Sequence, residues 1–195
     1  MNVIHNQPHN DDINVLLRQR RSTHAFSEQL IPPADLQRLF EAGRWSASSS
    51  NEQPWRFIYA TRDDEHAFQR IAGTLSDSNS LWAPHAAVLI VSVAKRHKGE
   101  HGRENRFAYY DVGQAVASLV LQALDMGLLA RQMGAFSQEK AREVLHIPDG
   151  YDPVTIIAVG YPGDVMALPE SVQAIETAPR TRKPLTEIVF RGEWG

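Results

Sequence analysis

The stretch DVGQAVASLVLQALDMG, residues 111–127, decides the fold. When it is wound as a helix it is apolar on most of its circumference, because Val and Leu alternate with small residues such as Gly113 and Ala117. We expect a helix from about Phe107 to Met126 that is buried either centrally or in a subunit interface. Gly127 is suited to be its C-cap.

Runs of apolar and β-branched residues on both sides of this helix predict a small sheet. The run AAVLIVSVA at 86–94 is nearly continuous in apolar residues, which is typical of a strand covered on both faces. Shorter strands are expected at 55–60, 128–132 and 154–159, with another short extended piece at 186–190. Further helices are expected after Asp11 or Asp12, from Pro33 to Gly43, from about 63 to 72 and from Ser137 to about 145. These elements predict an α+β fold in which helices surround a small mixed sheet with a strong antiparallel component.

The composition limits what the chain can be. Its 195 residues are expected to form a single domain, residues 1–195, with a loose tail at 1–11 and an extended arm at 165–195. The absence of cysteine excludes disulfides, thiolate metal sites and cysteine nucleophiles, so redox chemistry would need a bound cofactor. The net charge of −3 offers no broad basic field for nucleic acid or an anionic membrane.

The expected location is the cytoplasm. The first residues, MNVIHNQPHNDD, lack the basic and apolar regions of a signal peptide. The longest apolar stretch, at 86–94, is far too short to span a bilayer.

Three polar segments carry the candidate chemistry: RRSTHAF at 20–26, SSSNEQPW at 48–55 and RTRKP at 180–184. Of the 20 basic residues, 16 are Arg and 4 are Lys, and Arg holds phosphate or carboxylate with a planar, two-pronged guanidinium. Taken one by one, these arginines fit a solvated helix end and a solvated tail equally well. Only their place in a larger pattern distinguishes the two interpretations.

Six motifs follow one another along the chain: R-R-S-x-x-x-F, S-S-x-N-x-Q-P-W, the apolar helix with D-x-G-x-A, then M-G-A-F, G-Y-P and a late R-x-R. This ordered set resembles the FMN-dependent nitroreductase family over a region from about Val15 to Val189. The resemblance implies a nitroreductase-like fold and an intertwined homodimer. In such a dimer the long helix packs at the interface and the arm at 165–195 embraces the partner subunit.

The resemblance also assigns cofactor contacts. It implies that Arg20, Ser22 and Arg182, with the adjacent Arg21, bind the phosphate and ribityl chain of FMN, which need charge-assisted and hydroxyl donors. The family usually places Arg or Lys at the position of His24, beside the flavin edge that becomes anionic on reduction. The remaining basic candidate for that role is Arg180.

Other predicted contacts come from the middle of the chain. The amides of Asn51 and Gln53 are expected at the flavin edge or ribityl chain, Ser48 and Ser49 are expected to reach the flavin of the opposite subunit, and Asn79 is expected near the ribityl or ring region. The segment Met133, Gly134 and Ala135 matches the one whose backbone N–H points at flavin N5. Small residues there would allow a close approach.

The implied function is an FMN-dependent oxidoreductase that passes hydride from NADH or NADPH through flavin N5 to a nitroaromatic, a quinone or a similar small-molecule acceptor. No side chain is expected to act as a nucleophile. No metal is expected either, because His97 and His101 have the spacing of helical ligands in a segment that is a poor helix.

Two alternatives stay open at the level of sequence. A flavoenzyme of the same fold could reduce a semialdehyde, remove halogen or cleave the flavin, depending on the charged segment at 95–106, which is expected to be a mobile loop or lid. A protein that binds flavin without turnover is the other alternative.

Overall fold

A computed structural model describes residues 13–99 and 102–194. Its sheet has four strands, β1 (Trp55–Thr61), β2 (Val88–Lys95), β3 (Leu129–Met133) and β4 (Tyr151–Gly160), in the order β1-β2-β4-β3. Every neighbouring pair is antiparallel. The central strand β2 is buried along its length up to Lys95, as its unbroken apolar run predicts. The expected α+β fold is therefore confirmed, with an antiparallel sheet.

Seven helices surround the sheet: α1 (Val15–Gln19), α2 (Pro33–Arg44), α3 (Glu65–Ala72), α4 (Asp77–Ser80), α5 (Ala108–Asp125), α6 (Gln138–Val144) and α7 (Glu170–Thr177) within the described ranges. The α1 cap differs from the expectation, since Asn14 accepts a hydrogen bond from the N–H of Leu16. Asp11, Asp12 and the predicted tail at 1–11 lie outside the described residues. Ser137 caps α6 as predicted.

The helices cover the two faces of the sheet with separate apolar clusters. On one face, α5 and α2 pack over β2 and β4 through buried side chains such as Leu119 and Leu39. On the other face, Phe68 and Ile71 of α3 pack with Trp82 against the same two strands. In the described part of the chain no helix combines the length and the apolarity needed to cross a membrane.

Helix α5 buries only one side of its apolar circumference. Val112, Val116 and Leu119 face the sheet, whereas Gly113 and Ala117 lie on the exposed side. The sequence pattern could not separate these two sides, because both are free of charge between the terminal aspartates.

The C-terminal region differs from the prediction. Residues 186–190 form no strand, and Leu185–Glu187 is a single 3-10 turn. The pattern also missed α7, which packs through the buried Val172, while Leu168 just before it is buried as well. Beyond α7 the chain is exposed almost throughout and carries uncovered apolar side chains, Leu185, Ile188, Val189 and Trp194.

Candidate functional site

The segment at 20–26 follows α1 and runs beside the end of β4. Phe26 bridges to Pro162, the N–H of Ser27 donates to the Tyr161 carbonyl at 3.0 Å, and the N–H of Gly163 donates to the Ala25 carbonyl at 3.0 Å. A Cβ on Gly163 would lie 2.3 Å from the Phe26 carbonyl carbon, so only glycine permits this approach. The G-Y-P-G turn at 160–163 thus fixes the position of the 20–26 segment at the end of β4.

Four arginines collect around this segment. Burial, followed by the positive charges of Arg180, Arg182 and Arg21, lowers the pKa of Arg20. Burial and the charges of Arg182 and Arg21 likewise lower the pKa of Arg180. None of the four forms an ion pair with a carboxylate in the described ranges. The cluster is a concentration of uncompensated positive charge, built from both ends of the chain.

The four arginines do not have equal freedom. Arg180 donates from Nη1 to the carbonyl of Arg20 at 2.7 Å and from Nη2 to the carbonyl of Arg18 at 2.8 Å, which caps the C-terminal end of α1. Arg21 donates to the Glu176 carbonyl at 2.9 Å. Within the described residues, the Arg20 guanidinium makes one hydrogen bond, to the Ser22 hydroxyl at 3.1 Å. The exposed Arg182 donates only to the carbonyl of the neighbouring Thr181, at 2.6 Å. Arg20 and Arg182 thus keep more donors available for an anion than Arg180 and Arg21 do.

His24 lies inside the protein and contacts Glu176. Its side chain is 6 % exposed, and its Nδ1 lies 2.8 Å from Oε2 of Glu176. Burial of the Glu176 carboxyl opposes its charged form, but hydrogen bonds from the His24 ring, Thr23 and the His24 N–H together lower the pKa of Glu176. An ionised carboxylate only accepts, so Nδ1 of His24 carries the proton of this bond. The flavin contact expected of His24 remains a prediction.

Arg131, on β3, contacts the other side of the same segment. Its Nη1 donates to the Ser22 carbonyl at 3.1 Å, and its guanidinium lies 5.4 Å from the centre of the Trp82 ring. The His24 ring meets the same indole edge-on, with 4.9 Å between the ring centres. Burial lowers the pKa of Arg131, and the charge of Glu176 opposes that change.

The predicted N5 segment joins this group through Asn79. The Asn79 side-chain amide donates to the Ala135 carbonyl at 3.0 Å, and the Trp82 N–H donates to the Asn79 carbonyl at 3.3 Å. Gly134 and Ala135 are exposed, and their N–H groups donate no hydrogen bond within the described chain. Ser22, His24, Asn79 and the segment 133–135 are therefore connected through Arg131 and Trp82. That they bind one ligand remains a prediction.

The turn at Gly134 does not itself need glycine. Its φ lies outside the left-handed region, and a Cβ there would have no neighbour within 4 Å. The small residue leaves open space beside two unpaired N–H groups.

The loop at 48–53 lies with a different part of the fold. The N–H of Ser49 donates to the buried Asp111 of α5 at 3.1 Å, and the N–H of Gln53 donates to the Ser48 hydroxyl at 3.0 Å. Asn51 and Gln53 both have positive φ, at 55° and 45°, as does Ser50, just before Asn51, at 54°. No hydrogen bond joins this loop to the arginine cluster within the described residues. Its contribution to a site in the opposite subunit remains a prediction.

The charged segment at 95–106 begins as a narrow hairpin. The N–H of Asn105 donates to the Arg96 carbonyl at 2.6 Å, and His97 bridges to Glu104. The N–H of Lys95 donates to the Pro54 carbonyl at 2.8 Å, which brings the hairpin next to the 48–53 loop. His101 lies outside the described residues. Within them, no group of three or more His, Asp or Glu side chains could hold a metal ion.

Sequence reasoning assigned no role to three residues that hold the predicted segments: Glu176 and Arg131 hold the segment at 20–26, and Asp111 holds the loop at 48–53. Glu176 lies in a helix with few apolar residues, and Arg131 is the one charged residue of β3. No local sequence pattern therefore marked either residue as part of a site. A groove of about 1060 Å³ lies elsewhere, along α2 beside Trp45 and Gln122, and includes none of the predicted site residues.

Comparison with known proteins agrees with the fold and the motifs. The sequence profile of the nitroreductase family matches residues 17–81 and 74–161. An uncharacterised 15.4 kDa protein of Mycolicibacterium smegmatis is 34 % identical over 131 residues, which cover 67 % of this chain and 86 % of that protein. A protein of Archaeoglobus fulgidus, provisionally named an NADH dehydrogenase/NAD(P)H nitroreductase, is 24 % identical over 153 residues, 76 % of this chain and 84 % of that protein.

A solved structure described as an oxidoreductase containing FMN superposes with a TM-score of 0.92. It is 31 % identical and covers 100 % of this chain and 99 % of its own. The profile match alone spans well over half of the sequence. The chain belongs to the nitroreductase family.

Proposed function

We propose that this protein is an FMN-dependent oxidoreductase that uses NADH or NADPH to reduce a nitroaromatic, a quinone or a similar conjugated acceptor. The observation that carries the proposal is the cluster of Arg20, Arg21, Arg180 and Arg182, which has no carboxylate partner in the described chain. A phosphate dianion would compensate this charge and accept the hydrogen bonds that Arg20 and Ser22 can donate.

The relatives support the same reading. The FMN in the description of the structure at 31 % identity belongs to that protein, and the match extends over all of this chain. The nicotinamide cofactors are named for the Archaeoglobus fulgidus relative, at 24 % identity. We extend both to this chain because its motifs and its site geometry fit them.

The residues of the chain would bind and orient the cofactor. Arg20, Ser22 and Arg182 would hold the phosphate, and the free N–H groups of Gly134 and Ala135 would donate to the ring. Bound FMN would supply the N5 atom that accepts and donates hydride. The hydrogen bond from Asn79 to the Ala135 carbonyl restrains the end of this segment and would help to orient its N–H groups toward the ring.

We further propose that the active form is a homodimer. The exposed stripe of α5 around Gly113 and Ala117 is apolar, and the arm leaves Leu185, Ile188 and Trp194 uncovered. The hydroxyl of Ser46 bonds to Ser118 on α5 at 2.7 Å, so the 48–53 loop begins beside that stripe. A partner packed on α5 would cover the stripe and receive the loop.

The purified protein gives a direct test. We expect it to carry or take up FMN, and to oxidise NADH or NADPH when a nitroaromatic or a quinone is added. Single-turnover reduction of the bound flavin by each nicotinamide separately identifies the donor. Protein that cannot be reconstituted with FMN contradicts the proposal. Tight FMN binding without reduction by either nicotinamide would instead support a non-catalytic flavin-binding protein.

A further inference from the structure

We propose that Glu176 of α7 is a positioning residue for the cofactor phosphate, because its carboxylate fixes the segment that carries Arg20 and Ser22. The inference rests on the proposed function, since it assumes that this segment binds FMN. It assigns a binding role to a helix that none of the motifs includes.

One residue of α7 holds three residues of the segment. The Glu176 carboxylate accepts from the Thr23 hydroxyl at 2.7 Å, from the His24 N–H at 2.9 Å and from the His24 ring at 2.8 Å. Its main-chain carbonyl accepts from Arg21 at 2.9 Å. Four donors from three residues, Arg21, Thr23 and His24, therefore converge on one residue that is 152 or more positions away in the sequence.

The other bonds to this segment lie mainly at its two ends, where Arg180 donates to the Arg20 carbonyl and the Gly163 N–H donates to the Ala25 carbonyl. Residues 20–25 lie outside any helix or strand, between the end of α1 and the bridge at Phe26. In its middle, the segment is also held by the bond from Arg131 to the Ser22 carbonyl. Ser22 thus lies between two charged anchors, Arg131 from the sheet and Glu176 from α7.

Loss of the carboxylate would leave buried donors without an acceptor. Thr23 and His24 are 3 % and 5 % exposed, so water cannot easily replace the lost bonds. The segment would have to shift to satisfy them, and Arg20 and Ser22 would move with it. A binding group that has to be reordered when the ligand arrives loses affinity for that ligand. The effect should therefore fall on the part of the ligand that these two residues contact, the phosphate.

The test compares FMN with riboflavin, which lacks the phosphate. Dissociation constants for both are measured by fluorescence titration for the wild type, for Glu176→Gln and for Glu170→Gln, a matched control at the exposed start of the same helix. We expect Glu176→Gln to weaken FMN binding about tenfold or more while riboflavin binding changes much less, as one charge-assisted hydrogen bond would predict. Glu170→Gln should leave both constants unchanged.

A second variant and a second readout guard against a folding defect. Thr23→Val removes the donor to Glu176 and the acceptor of the Ala25 N–H but keeps the Glu176 charge, so it should lower the preference for FMN in the same direction by a smaller factor. In the wild type, FMN binding should slow amide hydrogen exchange in α7, because coupling between two sites is reciprocal. In Glu176→Gln this protection should be lost.

The outcomes separate the two proposals. If Glu176→Gln weakens FMN and riboflavin equally, or if FMN leaves exchange in α7 unchanged, the positioning role is wrong and Glu176 only stabilises the fold. If the wild type binds no FMN, the proposed function itself fails, and the positioning role fails with it.

Discussion

Replacement of Arg20 by Ala separates binding from folding in the arginine cluster. The substitution removes a guanidinium whose one hydrogen bond within the described residues goes to Ser22, and with it the repulsion from Arg180 and Arg182. We therefore expect two effects of different size. FMN affinity should fall strongly, and the stability of the apoprotein should hardly change.

The magnitudes follow from the contacts. Hydrogen bonds to charged groups contribute about 1.5–3 kcal/mol, so the dissociation constant for FMN should rise roughly 10- to 150-fold. In the apoprotein, loss of the Ser22 bond is offset by relief of like-charge repulsion. Arg20 is partly exposed, and solvent screens both effects to about 1 kcal/mol or less each. The apoprotein Tm should therefore stay within about 2 °C of the wild type.

The assay is a flavin titration together with a thermal melt of the apoprotein. Arg70→Ala is the matched control, because Arg70 is an exposed arginine at the end of α3, outside the cluster. It should change neither quantity. Unchanged FMN affinity in Arg20→Ala would mean that the phosphate binds elsewhere. A large fall in apoprotein Tm would mean that Arg20 holds the fold rather than the cofactor.

Three further substitutions test neighbouring features. Arg180→Ala should lower the apoprotein Tm by about 3–6 °C, since the loss of two hydrogen bonds to carbonyls costs about 1–2 kcal/mol. Arg180→Lys should not restore the Tm, because a single ammonium group cannot reproduce the two parallel donors of the guanidinium. Gly134→Ala should leave the apoprotein Tm unchanged, because the added Cβ meets no atom of the chain within 4 Å. It should weaken flavin binding, because the methyl group would occupy space proposed for the flavin ring. Unaltered flavin binding would mean that the ring lies elsewhere. Gly113→Leu should reduce the dimer fraction measured by light scattering. The subunit should stay folded, since a Cβ at Gly113 also meets no atom within 4 Å. An intact dimer would show that this face of α5 is not the interface.

The Glu176 carboxylate also predicts a pH dependence. Its pKa is lowered in the folded protein, so its contribution to stability is present above the unfolded pKa, about 4.3, and is lost as the pH falls through the folded value. The difference in Tm between the wild type and Glu176→Gln should be constant at neutral pH, begin to shrink near the unfolded pKa and disappear once the pH has fallen below the lowered pKa of the folded protein. A difference that persists in stronger acid would contradict the assigned ionisation.

Elements with a strong local signal were predictable. The unbroken apolar run of β2, the long helix α5 and the Ser137 cap each depend on residues that are adjacent in the sequence, and each lies where the pattern predicts. The C-terminal helix α7 was missed because its eight residues bury only Val172 and so carry a weak periodic signal.

The sequence by itself determined the family, the fold class and the polar motifs, because these are written in local patterns and in their order along the chain. Only the tertiary structure decided which arginines are occupied and which are free, since Arg180 caps α1 while Arg20 faces a cluster of like charge. It also revealed that His24 bonds to Glu176, 152 residues away. Such contacts depend on which buried donors and acceptors come together when the chain folds. The spacing of residues in the sequence does not predict these pairs.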